Sequence, residues 1–445
     1  MNKEINNITL IGAGLVGSLM AIYLKKRGFN VTIYERRSDM RNTGAAEGRS
    51  INLALSNRGL KPLQEVGLAK EVGKMVIPMN RRVMHDVKGN LTFQPYGKEG
   101  QFINSISRGG LNTLLMNKAE ELGVKIIFDH RCVDINLDNT EVILEHNDIE
   151  KQIEADLIIG TDGAYSAVRA AMQKTDRFNY HQRYIDHGYK ELRIPPSENG
   201  AFHIEKNALH IWPRGNYMLI ALPNTDGSFT CTLFFPFEGE KSFETLKTNE
   251  EIMAFFNEQF SDAVPLMPTL LEDYNTNPAS SLMTVKSFPW VRNKTLIIGD
   301  ASHAIVPFYG QGMNSGFEDC RVLNDMLNEH KDNWDIVLPL FQKERKPDAD
   351  AILELALRNF IEMRDSVGDE NFLVRKKIEA KLHEQYPNKW IPLYSMVTFH
   401  EEMRYSEAIQ KGEKQKDIMD KVMRKEGILE NWKSVNLESI VNQLD

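Results

Sequence analysis

The stretch ITLIGAGLVGSLMAIYLKKRGFNVTIYE, residues 8–35, dictates the architecture of the first part of the chain. A short apolar run leads into the turn GAGLVG, and apolar residues then recur at helical spacing over 15–24. Gly28 ends the helix, and Val31 and Ile33 alternate with their neighbours as in a strand. Strand, glycine-rich turn, helix and strand in this order predict the first βαβ unit of a doubly wound sheet.

The turn GAGLVG fits the pattern G-x-G-x-x-G. Gly12 allows a tight turn, Gly14 lets the backbone approach a pyrophosphate, and Gly17 lets the helix and strand pack closely. The start of the following helix favours an anion because its first backbone N–H groups are free. Glu35 ends the next strand, close to the spacing at which such folds place an acid on ribose hydroxyls. The unit therefore predicts dinucleotide binding, without distinguishing FAD from NAD.

Composition narrows the class of protein. The chain has 445 residues, 42% of them hydrophobic, which is enough for two or three globular domains. A net charge of −8 gives no basic surface for nucleic acid. The cysteines, Cys132, Cys231 and Cys320, form no pairing pattern, as expected in a reducing cytoplasm. We find no signal peptide or long apolar span, and the polar final residues predict no membrane anchor.

The rest of the chain divides into three kinds of pattern. Further buried strands are predicted at 124–128, 155–160 and 295–299, which would extend the first sheet. Residues 201–237 are rich in aromatic and β-branched residues and are broken by turn sequences, which predicts an inserted antiparallel sheet. From about residue 340 the pattern is helical and charged.

Two later segments favour FAD. LIIGTDGAYSAVR (157–169) and TLIIGDASHAIVPFYGQGMN (295–314) resemble the DG and GD motifs of the flavoprotein aromatic hydroxylases. In that family the aspartate of the second motif holds the FAD ribose, which assigns this role to Asp300. The residues themselves agree, because Asp300 follows a strand at the edge where open α/β sheets bind ligands. A helix cap is the alternative role for Asp300, and His303 either shapes the flavin pocket or is a satisfied structural histidine.

Many longer segments resemble one family within this group, the kynurenine 3-monooxygenases. The resemblance extends over nearly the whole chain, to about residue 405. The reaction that this resemblance implies is hydroxylation of L-kynurenine to 3-hydroxy-L-kynurenine with NADPH and O2, through a flavin C4a-hydroperoxide, in tryptophan degradation towards quinolinate and NAD. The segments are GRSINLALSNRG (48–59), 78–86, QPYG (94–97), SISRGGLN (105–112), LHIWPR (209–214), FTCTLFFPFEG (229–239), VPFYGQGMNSGFEDC (306–320), NFIEMR (359–364) and IPLYSMVTF (391–399).

The family's functional residues carry over where the motifs match. Arg82 falls on the arginine that holds the substrate carboxylate, and the other positions that bind the amino-acid substrate fall on Tyr96, Asn359 and Tyr394. The expected FAD-binding residues are Gly12, Gly14, Val16, Gly17, Glu35, Ala54, Arg108, Cys132, Asp300, Met313 and Asn314. Without the motifs, Arg82 would be interpreted as a surface arginine and the tyrosines as ordinary amphipathic residues.

The fold class expected is α/β, a Rossmann-like FAD-binding domain with an inserted antiparallel-sheet substrate domain and C-terminal helices. We expect the FAD-binding domain at 1–75, 100–178 and 280–370, the substrate domain at 76–99 and 179–279, and the helical region at 371–445. Phe235, Phe237, Phe308 and Tyr309 are candidates for the wall around the substrate ring, with domain core as the alternative for the first two.

Three other functions remain open on the sequence. One is a related hydroxylase or epoxidase acting on another aromatic ring or alkene, which a carboxylate-binding Arg82 would disfavour. Another is a flavin dehydrogenase or reductase that does not use O2. The third is a nucleotide-binding module without enzymatic activity, which would be colourless when purified.

Overall fold

The computed structural model describes residues 5–42, 52–98, 100–365 and 370–444. Its first sheet is parallel except for one short edge strand, and it contains the βαβ unit expected from residues 8–35. The strands, in order across the sheet, are Val291–Arg292, Thr295–Ile297, Leu157–Gly160, Asn7–Ile11, Asn30–Tyr34 and Lys125–Ile127. The carboxyl ends of the parallel strands therefore share one edge, where such sheets bind ligands.

A second, larger sheet is antiparallel apart from one pair of strands, and it includes the strands predicted within 201–237. In order, its strands are Ser280–Phe288, Asn179–Ile194, Phe229–Pro236, Met218–Pro223, Ala208–Pro213, Arg81–His85 and Leu91–Pro95. The parallel pair joins Ala208–Pro213 to Arg81–His85, so Arg82 lies beside Leu209 on a strand near the edge. The domain boundaries proposed above stay a prediction.

Two three-stranded antiparallel sheets complete the β structure of the described residues. One has the order Asn52–Leu55, Ile103–Ser107, Val76–Met79, and the other Ile149–Glu154, Glu141–His146, Arg131–Asn136. The first of these contacts the second large sheet, because Asn52 Nδ2 and Ser105 Oγ both donate to the carbonyl of Pro223, at 3.0 and 2.9 Å. This contact fixes the strand of Ala54 relative to the sheet of Arg82.

Helices cover the first sheet and fill the C-terminal region. The α-helices are Leu15–Lys26, Asn57–Glu65, Ala69–Gly73, Arg108–Glu121, Ala167–Gln173, Asn249–Gln259, Leu270–Thr276, Asp300–His303, Gly312–Glu329, Trp334–Asp365, Glu370–Gln385, Leu393–Phe399, Tyr405–Met423, Ile428–Asn431 and Leu437–Val441. Short 3-10 helices lie at Val264–Leu266, Pro307–Tyr309 and Trp432–Ser434. Within the described residues, no helix is both long and apolar enough to cross a bilayer.

The C-terminal helices pack back onto the second large sheet. Phe234 of that sheet, Phe308 of the 3-10 turn and Phe360 of the long helix share one hydrophobic cluster with Val397 and Tyr405. Burying each apolar side chain of this size stabilises the folded chain by roughly 1.5–3 kcal/mol. The cluster therefore holds the C-terminal helices against the loop that precedes helix Gly312–Glu329.

Candidate active site

The glycine-rich turn after the first strand leaves space only at its middle glycine. A Cβ at Gly12, whose φ is +103°, would lie 2.7 Å from the carbonyl oxygen of Thr161. A Cβ at Gly17 would lie 2.1 Å from the carbonyl oxygen of Gly12. At Gly14, which precedes helix Leu15–Lys26, no described atom lies within 4 Å of that position. The open space adjoins a helix N-terminus, as a pyrophosphate requires.

Glu35 is a buried, ionised acid at the end of the second strand. Its Oε2 accepts the backbone N–H of Ala13 at 2.8 Å, and its Oε1 accepts the backbone N–H and Nε of Arg37 at 3.0 and 2.9 Å. Burial opposes the charge, but the Arg37 contacts and the Ala13 N–H outweigh it and lower the pKa of Glu35. These donors use three of about four acceptor positions on a carboxylate, which leaves room for a ribose hydroxyl.

Asp300 is the first residue of helix Asp300–His303, just beyond strand Thr295–Ile297. Its side chain is accessible to solvent although protein encloses it, as expected for a residue that lines a cleft. Burial raises the pKa of Asp300, and the positive charge of Arg108 opposes that rise. Arg108 is itself exposed and begins helix Arg108–Glu121, so the structure brings these two predicted residues to the same cleft.

His303 is a satisfied structural histidine, which was one of its two expected roles. Its Nε2 lies 2.6 Å from Asp319 Oδ2, in a fully buried contact. The same carboxylate oxygen accepts the backbone N–H of Gly299 at 3.0 Å. Asp319 therefore fixes both ends of the turn that carries Asp300.

Asn314 uses its side chain to join two backbone segments. Its Nδ2 donates to the carbonyls of Ala54 and Gly310 at 2.8 and 2.7 Å, and its Oδ1 accepts the N–H of Ser56 at 3.0 Å. The start of helix Gly312–Glu329, which includes the half-buried Met313, is thereby fixed against strand Asn52–Leu55. A ligand would meet the backbone N–H groups of this helix start, which have no partner within the helix.

Val16 packs against two glycines beside the same region, and Cys132 lies near Asp162. A Cβ at Gly299 would lie 3.1 Å from a methyl carbon of Val16, and one at Gly316 would lie 2.6 Å away, so both glycines make room for this side chain. Cys132 is buried on strand Arg131–Asn136. Burial, with the negative charge of Asp162 nearby, raises the pKa of the Cys132 thiol to about 12. The thiol is therefore unreactive at neutral pH.

Three of the four predicted substrate residues form one cluster. The guanidinium carbon of Arg82 lies 4.8 Å from the ring centre of Tyr96 and 4.5 Å from that of Tyr394. Tyr394 also stacks on Tyr309, with ring centres 5.3 Å apart. The C-terminal region thus folds back over residues more than two hundred positions earlier, as the resemblance implies. Whether these side chains bind substrate stays a prediction.

Arg82 has no carboxylate within ion-pair distance among the residues that the structure describes. The buried Arg58 lies 2.5 Å from Glu318, and the buried Arg345 lies 2.9 Å from both Glu318 and Asp319. A buried cation is costly unless a charge or hydrogen bonds compensate it. The enclosed cation of Arg82 is therefore suited to a carboxylate that arrives with a ligand.

Asn359 contacts the 3-10 turn that carries Tyr309, next to this cluster. Its Nδ2 donates to the carbonyl of Phe308 at 2.7 Å, and the next residue, Phe360, stacks on the Phe308 ring at 4.3 Å. These contacts fix the 3-10 turn that presents Tyr309 to Tyr394. Phe235 belongs to the core of the second large sheet, and the half-buried Phe237 packs against that core, which was the alternative role considered for both.

Sequence reasoning missed a buried network of charges behind the site. It comprises Arg58, Glu318, Asp319, Arg345, Asp348 and the half-buried Arg404. The available signal was the presence of charged residues inside matched motifs, Arg58 in the string SNRG and Glu318 and Asp319 in GFEDC. Sequence alone does not say which of these charges meet, because their partners lie far apart along the chain.

Comparison with known proteins agrees with this geometry. A family model described as an FAD binding domain matches residues 6–356. Kynurenine 3-monooxygenase of Christiangramia forsetii is 47% identical over 447 aligned positions, which cover all of this chain and 99% of that protein. The enzyme of the same name from Myxococcus xanthus is 49% identical over 400 positions, covering 88% of this chain and 86% of that protein.

Solved structures show the same fold at lower identity. A tetrameric form of 2-methyl-3-hydroxypyridine-5-carboxylic acid oxygenase superposes with a TM-score of 0.68 at 21% identity, covering 83% of this chain and 95% of that one. A probable FAD-dependent monooxygenase from Pseudomonas aeruginosa superposes with a TM-score of 0.65 at 18% identity, covering 81% and 97%. Because it matches these relatives over nearly its whole length and contains the FAD binding domain, this chain belongs to the kynurenine 3-monooxygenase family.

Proposed function

We propose that this chain hydroxylates L-kynurenine to 3-hydroxy-L-kynurenine, with FAD as its cofactor and NADPH and O2 as co-substrates. The observation that carries the proposal is the Arg82 cluster. An enclosed guanidinium is flanked by two tyrosine rings and has no carboxylate partner among the described residues. Such a group is suited to the carboxylate of an amino-acid substrate, which it can bind through two parallel N–H···O bonds.

The surroundings of Arg82 suit the rest of the substrate. Burial raises the pKa of Tyr96, so its hydroxyl stays neutral and can donate a hydrogen bond. The rings of Tyr96 and Tyr394 lie 5.9 Å apart and are inclined by only 17°, and Tyr309 continues the aromatic surface. An aromatic amino acid could therefore place its carboxylate on Arg82 and its apolar atoms against these rings.

The residues of the first sheet fit FAD. Gly14 offers open space beside a helix N-terminus for the pyrophosphate, Glu35 keeps an acceptor position for a ribose, and Asp300 faces the cleft. Val16, Ala54, Met313 and Asn314 lie on elements that adjoin the same region, and Cys132 lies near Asp162, which adjoins Gly12. When bound, FAD supplies electron transfer from NADPH and activation of O2, which no side chain can supply.

The role of the protein is orientation and exclusion of water. The amino group on the kynurenine ring makes the neighbouring ring carbon nucleophilic, so the reaction needs no strong protein base. Arg82 holds the far end of the substrate and thereby sets the position of the reacting carbon. Tyr309, Tyr394 and the Phe308–Phe360 stack form an apolar cover that keeps water from the reacting centre.

The test is oxidation of NADPH by the purified yellow protein, with and without L-kynurenine. We expect L-kynurenine to accelerate the oxidation and to yield a product heavier by one oxygen atom. The matched control is 2-aminoacetophenone, which keeps the aminophenyl ketone but lacks the amino-acid end, and it should be a poor substrate. Equal turnover of the two compounds would refute carboxylate recognition. NADPH oxidation without O2 uptake would instead indicate a reductase.

A further inference from the structure

Arg58 connects the flavin-side strand to the helix that carries Tyr394. It lies in helix Asn57–Glu65, directly after strand Asn52–Leu55, and is only 2% exposed. Its Nη1 lies 2.5 Å from Glu318 Oε1. The rest of its guanidinium donates to backbone carbonyls at 2.7–3.3 Å, those of Val397, His400 and Met403.

These carbonyls belong to the end of helix Leu393–Phe399 and the segment that follows it. The last carbonyls of a helix have no partner within the helix, and a cation at that end interacts favourably with the helix dipole. Arg58 supplies both the hydrogen-bond donors and the cation. Tyr394 lies in the first turn of this seven-residue helix, so fixing its C-terminal end also fixes the direction of its tyrosine.

The buried charge network also connects Arg58 to the turn that carries Asp300. Glu318 also accepts Arg345 Nη1 at 2.9 Å, and the Nη2 of the same arginine lies 2.9 Å from Asp319. Asp319 holds the backbone N–H of Gly299, immediately before Asp300. Side chains that contact one another thus run from the turn of the cofactor cleft to the helix of the substrate cluster.

We infer that Arg58 is a positioning residue, which holds helix Leu393–Phe399 so that Tyr394 stays against Arg82 and the substrate is correctly placed. This inference rests on the proposed function of that site. A purely structural role would predict lost stability alone. A positioning role also predicts weaker kynurenine binding and a lower yield of product from each NADPH oxidised, because orientation is what the site contributes.

The variants separate the two roles. Arg58→Met removes the donors and the charge, and Arg58→Lys keeps a charge that cannot reach all four acceptors. Because Arg58→Met leaves Glu318 with one partner fewer, the double variant Arg58→Met/Glu318→Gln removes the stranded charge, and Arg345 keeps Asp319 and Asp348. Arg321→Met is the matched control, since Arg321 lies 3.8 Å from Glu318 and pairs with Asp325.

The readouts are hydrogen exchange of residues 393–403, the Kd for L-kynurenine from the flavin spectrum, and the fraction of oxidised NADPH recovered as hydroxylated product. In Arg58→Met and in the double variant we expect faster exchange confined to this segment, a Kd raised roughly tenfold or more and a clear fall in that fraction. Arg58→Lys should show smaller changes in the exchange rate, the Kd and the product fraction, and Arg321→Met should match the wild type in all three.

Unchanged Kd and product fraction in folded Arg58 variants would overturn the inference, even if exchange became faster. So would exchange in 393–403 that stays at the wild-type rate. A wild-type protein that does not hydroxylate kynurenine would refute the proposed function instead, and the exchange experiment would still decide whether Arg58 holds the helix.

Discussion

At the scale of single residues, the buried Arg58 and Arg345 differ from the half-buried Arg82 in what compensates the charge. Arg58 and Arg345 each contact at least one carboxylate within 3 Å, whereas Arg82 faces the rings of Tyr96 and Tyr394. Arg82 also forms hydrogen bonds with the hydroxyls of these tyrosines. Neither a ring face, which attracts a cation by about 0.5–2 kcal/mol, nor a neutral hydroxyl supplies the opposite charge of a carboxylate. The protein therefore leaves an electrostatic deficit at Arg82 that a substrate carboxylate can offset.

Replacing Arg82 tests this assignment directly. Arg82→Ala should give a folded, yellow protein that binds L-kynurenine roughly 2–5 kcal/mol more weakly, because the substrate carboxylate loses a desolvated charge partner. Arg82→Lys should recover only part, since an ammonium group lacks the planar fork. Arg81→Ala is the control, because Arg81 is exposed and pairs with Glu205 at the surface. Near-normal affinity in Arg82→Ala would move the carboxylate site elsewhere, with Arg108 as the next candidate.

Asp300 can be tested through the cofactor alone. Asp300→Ala should retain less FAD after extensive dialysis while its far-ultraviolet circular dichroism stays unchanged, because it loses a carboxylate that faces the cleft. Asp138→Ala, at an exposed turn, serves as the control. Stoichiometric flavin in dialysed Asp300→Ala would mean that the Asp300 carboxylate does not hold the cofactor.

At the scale of elements, the cofactor cleft depends on how closely two helices approach. Helix Asn57–Glu65 packs on helix Gly312–Glu329, and a Cβ at Gly59 would lie 2.1 Å from Asn314 Oδ1. Asn314 cannot simply rotate away, because its amide holds three backbone groups. The glycine therefore sets the separation between the two helices.

Gly59→Ala should consequently destabilise the protein by about 1–3 kcal/mol and weaken FAD retention, since the added methyl overpacks this contact. Gly73→Ala is a matched control, because no described atom lies within 4 Å of its Cβ position. An alanine there should be neutral or stabilising by up to about 1 kcal/mol, from lower backbone entropy in the unfolded chain. Denaturant unfolding of both variants measures the difference, and equal stability would contradict the packing argument.

Elements whose signal is local were predictable from the sequence. The turn around Gly14, the strand before Asp300 and the antiparallel strands in 201–237 each depend on neighbouring residues, and each lies where it was expected. The contacts of Arg58 with the segment after Phe399 were not predictable, because more than three hundred residues separate them. Tyr394 and Arg82 were brought together only by resemblance to a family, since neither residue's neighbours indicate the other.

At the scale of the whole molecule, buried histidines in the second large sheet link stability to pH. His210 is 2% exposed, and its Nε2 lies 2.8 Å from the carbonyl oxygen of Glu205. A carbonyl only accepts, so this nitrogen carries the proton, and the neutral ring leaves Nδ1 to accept from His85 Nε2 at 3.0 Å. Burial lowers the pKa of His210 to about 4, with the neighbouring His85 acting in the same direction.

The consequence is a loss of stability in weak acid. A histidine in the unfolded chain takes up a proton near pH 6.5, whereas His210 in the folded chain does so only near pH 4. The contribution of the neutral His210 ring to the free energy of unfolding is therefore fully present above about pH 6.5. It decreases as the pH falls towards 4, by about 3 kcal/mol in total. Denaturant unfolding of wild type and of His210→Gln at pH 7.0, 5.5 and 4.5, three pH values spanning this range, measures the effect.

The His210→Gln variant should be less stable than the wild type at pH 7, because an amide replaces the ring, but its stability should fall less steeply on acidification. The glutamine Nε2 can still donate to the Glu205 carbonyl, so the variant removes the titrating group while keeping one of its contacts. The exposed His181 gives the control His181→Gln, which should follow the wild-type pH dependence. Parallel curves for wild type and His210→Gln would show that other groups, chiefly carboxylates, cause the acid sensitivity of the fold.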